Sequence, residues 1–366
     1  MLALLSLVRS STEFASPAVV KLALEQRVRS FMGSNRTTDS IEMYVKSVAL
    51  LVAAAASYYF LIFAADSLWS AIASATILAL ALVGIGFNIQ HDGNHGGFSR
   101  FPWVNRATGF TLDLIGASSY YWRQKHNINH HTYTNIDGED DDIHLGWFAR
   151  VCEDHKWYWF HRYQQYYLWF LYSFVHLRYV YSDWVCLYTG RMGGHVVKRP
   201  QGAQLVALIS GKAIYLGLAF VLPMTRHHWP TVLLTFLAIS MLMGIIFSVV
   251  FQLAHLVDTV EHPAEKDGHQ HAEWMVHQIQ TTSDFATGSR FLSVALGGLN
   301  FQREHHLFPK ISHVHYPALA EVVKQVCDEH RVPYAETPKL TDALRSHYRF
   351  LKQMGEQPNT SVVVAR

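Results

Sequence analysis

Histidine is the residue type through which this chain can do chemistry. There are 23 in 366 residues, and eight of them form a pattern. His91 and His95 are four apart; so are His126 and His130, with His131 directly after. Residues four apart share a helix face. His305 and His306 stand three and four positions after Gln302, and His255 adds one more. Neutral imidazole suits zinc, copper, iron and nickel. Four ligands satisfy one zinc ion, so eight brought together point to two metals. Protonated, eight such rings would repel one another; deprotonated and metal-bound they are stable side by side.

The elements that must position them are apolar. Half of the residues are hydrophobic and 16% are charged, against about a quarter in soluble domains. Apart from His and Tyr, no ionisable residue occurs from Ser47 to Ala65, Ser67 to Gln90 or Trp229 to Ala254, and only Lys212 interrupts Leu205 to Met224. About 20 apolar helical residues cross a ~30 Å hydrocarbon core. The pattern predicts four transmembrane helices, at about 44–65, 68–90, 205–224 and 231–256, in an all-α integral membrane fold. Lys212 must snorkel or face protein. Residues 1–43 read as an N-terminal cytoplasmic or interfacial segment, 44–352 as one domain and 353–366 as a tail. Asp66 and Arg226 are the charges of the two short links. Lys and Arg gather instead before the first run and between the second and third. The positive-inside rule places both termini and the middle loop in the cytoplasm. His91 and His255 then emerge on one side, in a bacterial inner membrane or the endoplasmic reticulum. Arg9 and the lack of a clear cleavage site argue against a signal peptide. The three cysteines, Cys152, Cys186 and Cys327, have no CxxC spacing and no expected disulfide. No nucleic-acid partner is expected.

Residues 101–200 are too long for a plain loop. The aromatic stretch from Trp157 to Leu187 predicts interfacial helices. The stretch from Tyr316 to Met354 has helical spacing and predicts a cytoplasmic helical cap, the part of the fold expected to carry the histidine boxes. Asp92, Asp137, Asp141, Asp258 and Glu304 are candidates to orient the histidines from behind, as is His277. The acidic run from Glu139 to Asp142 reads as partly solvated, and His227, His228, His313 and His315 as structural. Arg100, Arg106, Arg123 and Lys125 are candidate phosphate contacts or simply cytoplasmic charge.

With their flanks, the clusters resemble the membrane fatty acid desaturase family, which has three histidine boxes and four spans. The boxes here are His91-x3-His95, His126-x3-His130-His131 and Gln302-x2-His305-His306. The flanks include Gly96-Gly-Phe-Ser99, Thr134-Asn135, His277 to Thr282, Gly297 to Gln302 and Leu307 to Pro317. Gln302, in place of a first histidine in the third box, resembles the acyl-lipid and front-end branch. The resemblance implies two iron ions, with O2 as co-substrate, and removal of two hydrogens from a fatty acyl chain held as lipid, CoA or acyl-carrier-protein ester. It implies His91, His95, His126, His130, His131, His255, His305 and His306 as iron ligands, with Gln302 a contact made directly or through water. Some members use an Asn one turn before the His255 position, where Phe251 stands here beside Gln252. Many front-end members carry a cytochrome b5 domain marked by His-Pro-Gly-Gly. That motif is absent from this sequence, so a separate donor of ferredoxin or cytochrome b5 type is expected.

The chemistry fits the residues. A methylene has no acidic proton, so acid–base groups cannot start the reaction and the cofactor must supply the oxidising power. The protein must hold one C–C bond beside the metals, and a bent apolar tunnel between the second and fourth spans would do so. Gly84, Gly86 and Gly93 would allow close approach, for substrate or for helix packing. The same site could give a hydroxylated chain or an alkyne, as a hydroxylase or acetylenase. A membrane metal-binding or transport protein is the alternative of another class, and it would place ligands along a path inside the bilayer.

Overall fold

A computed structural model describes residues 16–33, 37–143, 145–263 and 274–357. Residues 1–15, with Arg9, then Arg36, and 358–366 of the tail lie outside the described residues. Four helices are long and apolar enough to cross a membrane: Ile41–Phe63, Leu68–His95, Ala203–Met224 and Trp229–His255. At about 1.5 Å per residue each exceeds a ~30 Å core. Their ends follow local chemistry. Ser67 caps the second span, its hydroxyl accepting from the Ser70 backbone at 3.2 Å while Ser70 reciprocates at 3.1 Å. Pro230 sits in the first turn of the fourth span, where its missing N–H costs nothing.

The second span runs further than its uncharged stretch. It was expected to stop near Gln90, but it stays helical to His95 through a π-helical turn at Gly86–Gln90 and ends at Gly96, φ +79°. A π turn keeps the backbone bonded while re-phasing the side chains, and a left-handed glycine then closes the helix. The first histidine pair therefore rides on the end of a rigid span. Gly86 serves packing: a methyl there would come within 2.8 Å of the Phe247 ring on the fourth span. Ala79, Val83 and Phe87 meet Met243, Val250 and Leu253 across that contact.

The middle region holds Pro102–Leu114, Gln164–Tyr172 and Val175–Thr189. At 9 and 15 residues, the two aromatic helices are too short to span. Tyr166, Phe170, Tyr181 and Tyr188 remain exposed along them. Lys212 faces protein. Its ammonium donates to Asp183 at 2.5 Å and to the Gly116 carbonyl at 2.6 Å, tying the third span to the helix Val175–Thr189.

The cap is larger than Tyr316–Met354. Helix Pro17–Met32, expected as a surface lead-in, presents Val20, Leu24, Val28 and Met32 as one stripe against Leu319, Val323 and Val326 of helix Tyr316–His330. An exposed Arg27–Glu329 pair at 2.8 Å flanks it. The last helix, Leu340–Gly355, packs on Gln164–Tyr172. Two-residue strands, Asp284–Phe285 and Glu336–Thr337, pair in parallel and join the cap to the third cluster.

Lys212→Met leaves the Asp183 carboxylate buried without its cation, and should cost about 3–5 kcal/mol. Adding Asp183→Leu should recover most of it. Thermal unfolding of the detergent-solubilised single and double variants checks this; additive losses would show that the pair is not coupled.

Candidate metal centre

The three histidine clusters meet at the ends of the second and fourth spans. His91 and His95 sit on the last turn of the second span, 4.7 Å apart between ring centres. His126 and His130 lie on a second π-helical segment, Arg123–His130. With i→i+5 bonding a turn takes more than four residues, so residues four apart come nearly into line. The two rings stack at 5.1 Å and 24°. His305 and His306 lie on the short helix Gln302–Leu307. His255 ends the fourth span. All eight histidines are buried.

Among the described residues, their ring nitrogens form two separate groups and a third, His131 with His305 and His306, that joins them. His91, His95, His126 and His305 offer one nitrogen each within 4.8 Å of one another, and so do His130, His255 and His306. His131 stands between the groups. Its Nε2 is 3.0 Å from His305 Nε2, and its ring stacks on His306 at 4.2 Å.

Acceptors outside the cluster fix the rings. His130 Nδ1 meets Asp140 at 2.8 Å, His126 Nδ1 meets Asp142 at 3.3 Å and His306 Nδ1 meets the Gln278 carbonyl oxygen at 2.7 Å. The Tyr316 hydroxyl lies 3.4 Å from His305 Nδ1. Each contact takes the outer nitrogen and leaves Nε2 facing inward, as metal-bound histidines require. Asp92 lies 3.9 Å from His91 and accepts from His313 Nδ1 at 2.8 Å, and Lys46 is 2.6 Å from the far side of that ring. Asn135, at φ +60°, staples the centre by donating to the carbonyls of His255, Glu261 and Thr281 at 3.0, 3.2 and 3.0 Å.

The electrostatics keep most of the rings neutral. Burial pushes His126 down to about 3, against the pull of Asp142. Burial and then neighbouring rings hold His131, His305 and His306 well below the usual range. Burial lowers His130, but the Asp140 and Asp142 carboxylates together outweigh it and the ring is raised. Burial would also raise Asp142, but the buried Lys125 ammonium beside it holds it far below the ordinary carboxylate value. The inward Nε2 atoms of His95, His130, His255 and His306 are buried with no hydrogen-bond partner among the described residues. Orphaned buried nitrogens need an explanation; a shared cation satisfies them together, and the all-imidazole set fits a transition metal.

A cavity of about 360 Å³ opens onto His91, His126 and Gln302. Phe87 and Phe247 of the second and fourth spans line it, with Leu112, Ile115, Trp122 and Tyr179. A larger cavity of about 700 Å³ lies among the four spans and shares Ile115 and His176 with it. The Gln302 side-chain oxygen is buried and has no hydrogen-bond partner among the described residues. Phe251 packs its ring 4.7 Å from His255 and 5.1 Å from His130.

Other candidates lie elsewhere. Asp258 pairs with Ser346 and Arg349, Asp137 with His155, and Asp141 faces His195 at 4.0 Å. Glu304 turns from the histidines toward Tyr334, 3.2 Å away, and burial and then Asp284 hold its carboxyl far above the ordinary value. His277 supports the second box from behind, bonding the Thr134 carbonyl at 3.0 Å. Arg123 donates to Asn94 at 2.8 Å and Lys125 is spent on Asp142, while Arg100 and Arg106 stay exposed. The acidic run is not solvated where it matters: Asp140 and the carboxylate of Asp142 are buried against histidines. Asp140, Gln278, Tyr316 and Arg303 escaped the sequence reading. Arg303 anchors the third box to the cap through Asp284 and the Thr282 and Ala335 carbonyls.

Comparison with known proteins agrees with this arrangement. The family described as fatty acid desaturase matches residues 67–338. The sn-1 linoleoyl-lipid 6-desaturase of Arthrospira platensis is 34% identical over 358 residues, 97% of each chain. Its namesake in Synechocystis is 35% identical over 350 residues, 94% of this chain and 98% of that one. An acyl-lipid (8-3)-desaturase of Physcomitrium patens is 36% identical over 341 residues, 91% of this chain and 71% of the relative. With four apolar helices, buried histidine clusters and these relatives, the chain is a membrane protein of the fatty acid desaturase family, an oxidoreductase that desaturates fatty acids.

Proposed function

We propose that this desaturase acts on lipid-bound acyl chains through a diiron centre at the cytoplasmic face of the membrane. The observation that carries it is the pair of imidazole groups beside an apolar cavity. In this reading His91, His95, His126 and His305 hold one iron, and His130, His255 and His306 the other. His131 lies between them, and Gln302 contacts the cavity side of the first. Two irons bound there would use O2, two electrons and two protons to take two hydrogens from adjacent methylenes, leaving a double bond and two waters.

This chain's own residues do the rest. Asp140, Asp142, Gln278 and Tyr316 hold imidazole orientation. Phe87, Leu112, Ile115 and Phe247 hold an extended apolar chain and exclude water. The relatives matched over nearly their whole length act, by name, on linoleoyl lipid at position 6, so that lipid is the first substrate to test. Electrons come from a separate carrier of ferredoxin or cytochrome b5 type. The scarcity of cations in the two short links supports a multi-pass topology with the histidines on the cytoplasmic side.

Expression in a host containing linoleoyl lipid, followed by gas chromatography–mass spectrometry of total fatty acids, tests the reading. A new double bond is expected, located by derivatisation and absent with His305→Ala, which removes a ligand from the first group. Added oxygen or a triple bond would instead assign hydroxylase or acetylenase chemistry to the same centre. Asp140→Asn keeps the shape but removes the carboxylate behind His130. Iron affinity should fall by roughly 10–100-fold, measured as iron retained by purified protein against a chelator series. Unchanged retention would show that Asp140 does not support a ligand.

A further inference from the structure

We propose that Asp137, Cys152 and His155 form a second metal site, separate from the histidine centre, for a divalent cation of the zinc class. Each offers one ligand atom, and the three atoms lie within 4.8 Å of one another. His155 Nε2 and an Asp137 oxygen are already 2.7 Å apart. Cys152-x2-His155 is a short chelating spacing, closed by a turn in which the His155 N–H donates to the Cys152 carbonyl at 3.3 Å.

The loop is held in this shape by protein contacts. The Arg150 guanidinium donates to the carbonyls of His155, Glu153 and Met354 at 3.0, 2.5 and 2.8 Å. The Gln164 side chain brackets the Arg150 backbone, accepting from its N–H and donating to its carbonyl, both at 2.9 Å. Ligands fixed before binding lose little freedom on coordination. Cys152 forms a buried floor beside Ile143, Val151 and Leu168. The side chains of His155 and Asp137, 16% and 25% exposed, leave a narrow way in from solvent.

The charge around the thiol favours a cation. Burial and then the carboxylates of Asp137, Asp140 and Asp154 push Cys152 up to about 12. The neighbouring positive group, Arg150, is occupied by carbonyls. A dication would reverse that balance and take the thiolate as ligand. Sulfur, imidazole and carboxylate together select zinc-like ions over magnesium or calcium. Three protein ligands leave a fourth position for water. The site also has a structural consequence. Asp137 opens the segment that carries Asp140 and Asp142, so a metal there would pin the stretch that orients His130 and His126.

Cobalt titration of the purified full chain in lipid nanodiscs tests this. A thiolate ligand gives cobalt a near-ultraviolet charge-transfer absorption that an all-imidazole centre cannot give, so the histidine boxes do not interfere. The absorption should appear in the wild type, bleach when zinc is added, and be lost in Cys152→Ser and His155→Ala but kept in Cys186→Ser. Asp137→Asn, at a partly exposed position, should weaken it if the core variant proves unstable. No absorption in folded wild-type protein would overturn the proposal, as would one that survives Cys152→Ser. The His155–Asp137 contact would then be an ordinary hydrogen bond beside a buried thiol.

Discussion

Eight imidazoles can share one buried volume only if they are mainly neutral and each points a nitrogen the same way. That constraint shapes most of what surrounds them. A ring buried without an outer partner can rotate; a ring whose Nδ1 is held by a carboxylate or an amide oxygen is fixed in orientation and tautomer, with Nε2 left facing inward. Hence Asp140 and Asp142 lie buried in a turn just after the second box, and Gln278 reaches in behind the third. Buried carboxylates need their own compensation, and Lys125 supplies it at Asp142. The centre is a nested arrangement of opposite charges, with the neutral rings innermost.

Rigidity comes from where the rings are mounted. The first box and His255 ride on the ends of two spans packed through Gly86 and Phe247. The second box rides on a π-helical segment stapled to the fourth span by Asn135. The third is tied into the cap by Arg303, whose guanidinium is fully buried. Packing of the helix Pro17–Met32 against Tyr316–His330 extends that cap. A change in the cap can therefore reach the centre through Arg303 without touching a histidine.

The four spans were legible because the bilayer demands a signal that composition alone carries: long stretches without charge. The histidines were legible because their number and spacing exceed any structural need. The supporting residues were not. An acidic run such as Glu139 to Asp142 looks solvated in one dimension, and only the fold turns Asp140 inward. The second span was read short at Gln90 because polarity rises there while helicity does not, and a π turn leaves no mark in the sequence. Lys212 had to snorkel or face protein, and its partner Asp183 is 29 positions away on a different helix. The N-terminal helix could be read only as cytoplasmic or interfacial, because its apolar stripe fits a protein face as well as a lipid one.

The two imidazole groups are not equivalent toward the cavity. His91 and His126 of the first group line it together with Gln302, whose side-chain oxygen is buried without a hydrogen-bond partner among the described residues. At the second group, the Phe251 ring lies against both His130 and His255 and shares the cavity wall. An aromatic ring offers no ligand atom, and it excludes water from the nitrogens it covers. On the proposed assignment, His91 and His126 would hold their metal beside the cavity, while Phe251 covers His130 and His255 with apolar surface. Dioxygen and the reacting methylenes would then meet on the His91–Gln302 side, with the chain running past Phe87 and Phe247 toward Ile115. There the wall is shared with the larger cavity among the spans. On that reading Ile115 and His176, which line both cavities, would set how much of the chain can lie beyond the reacting bond.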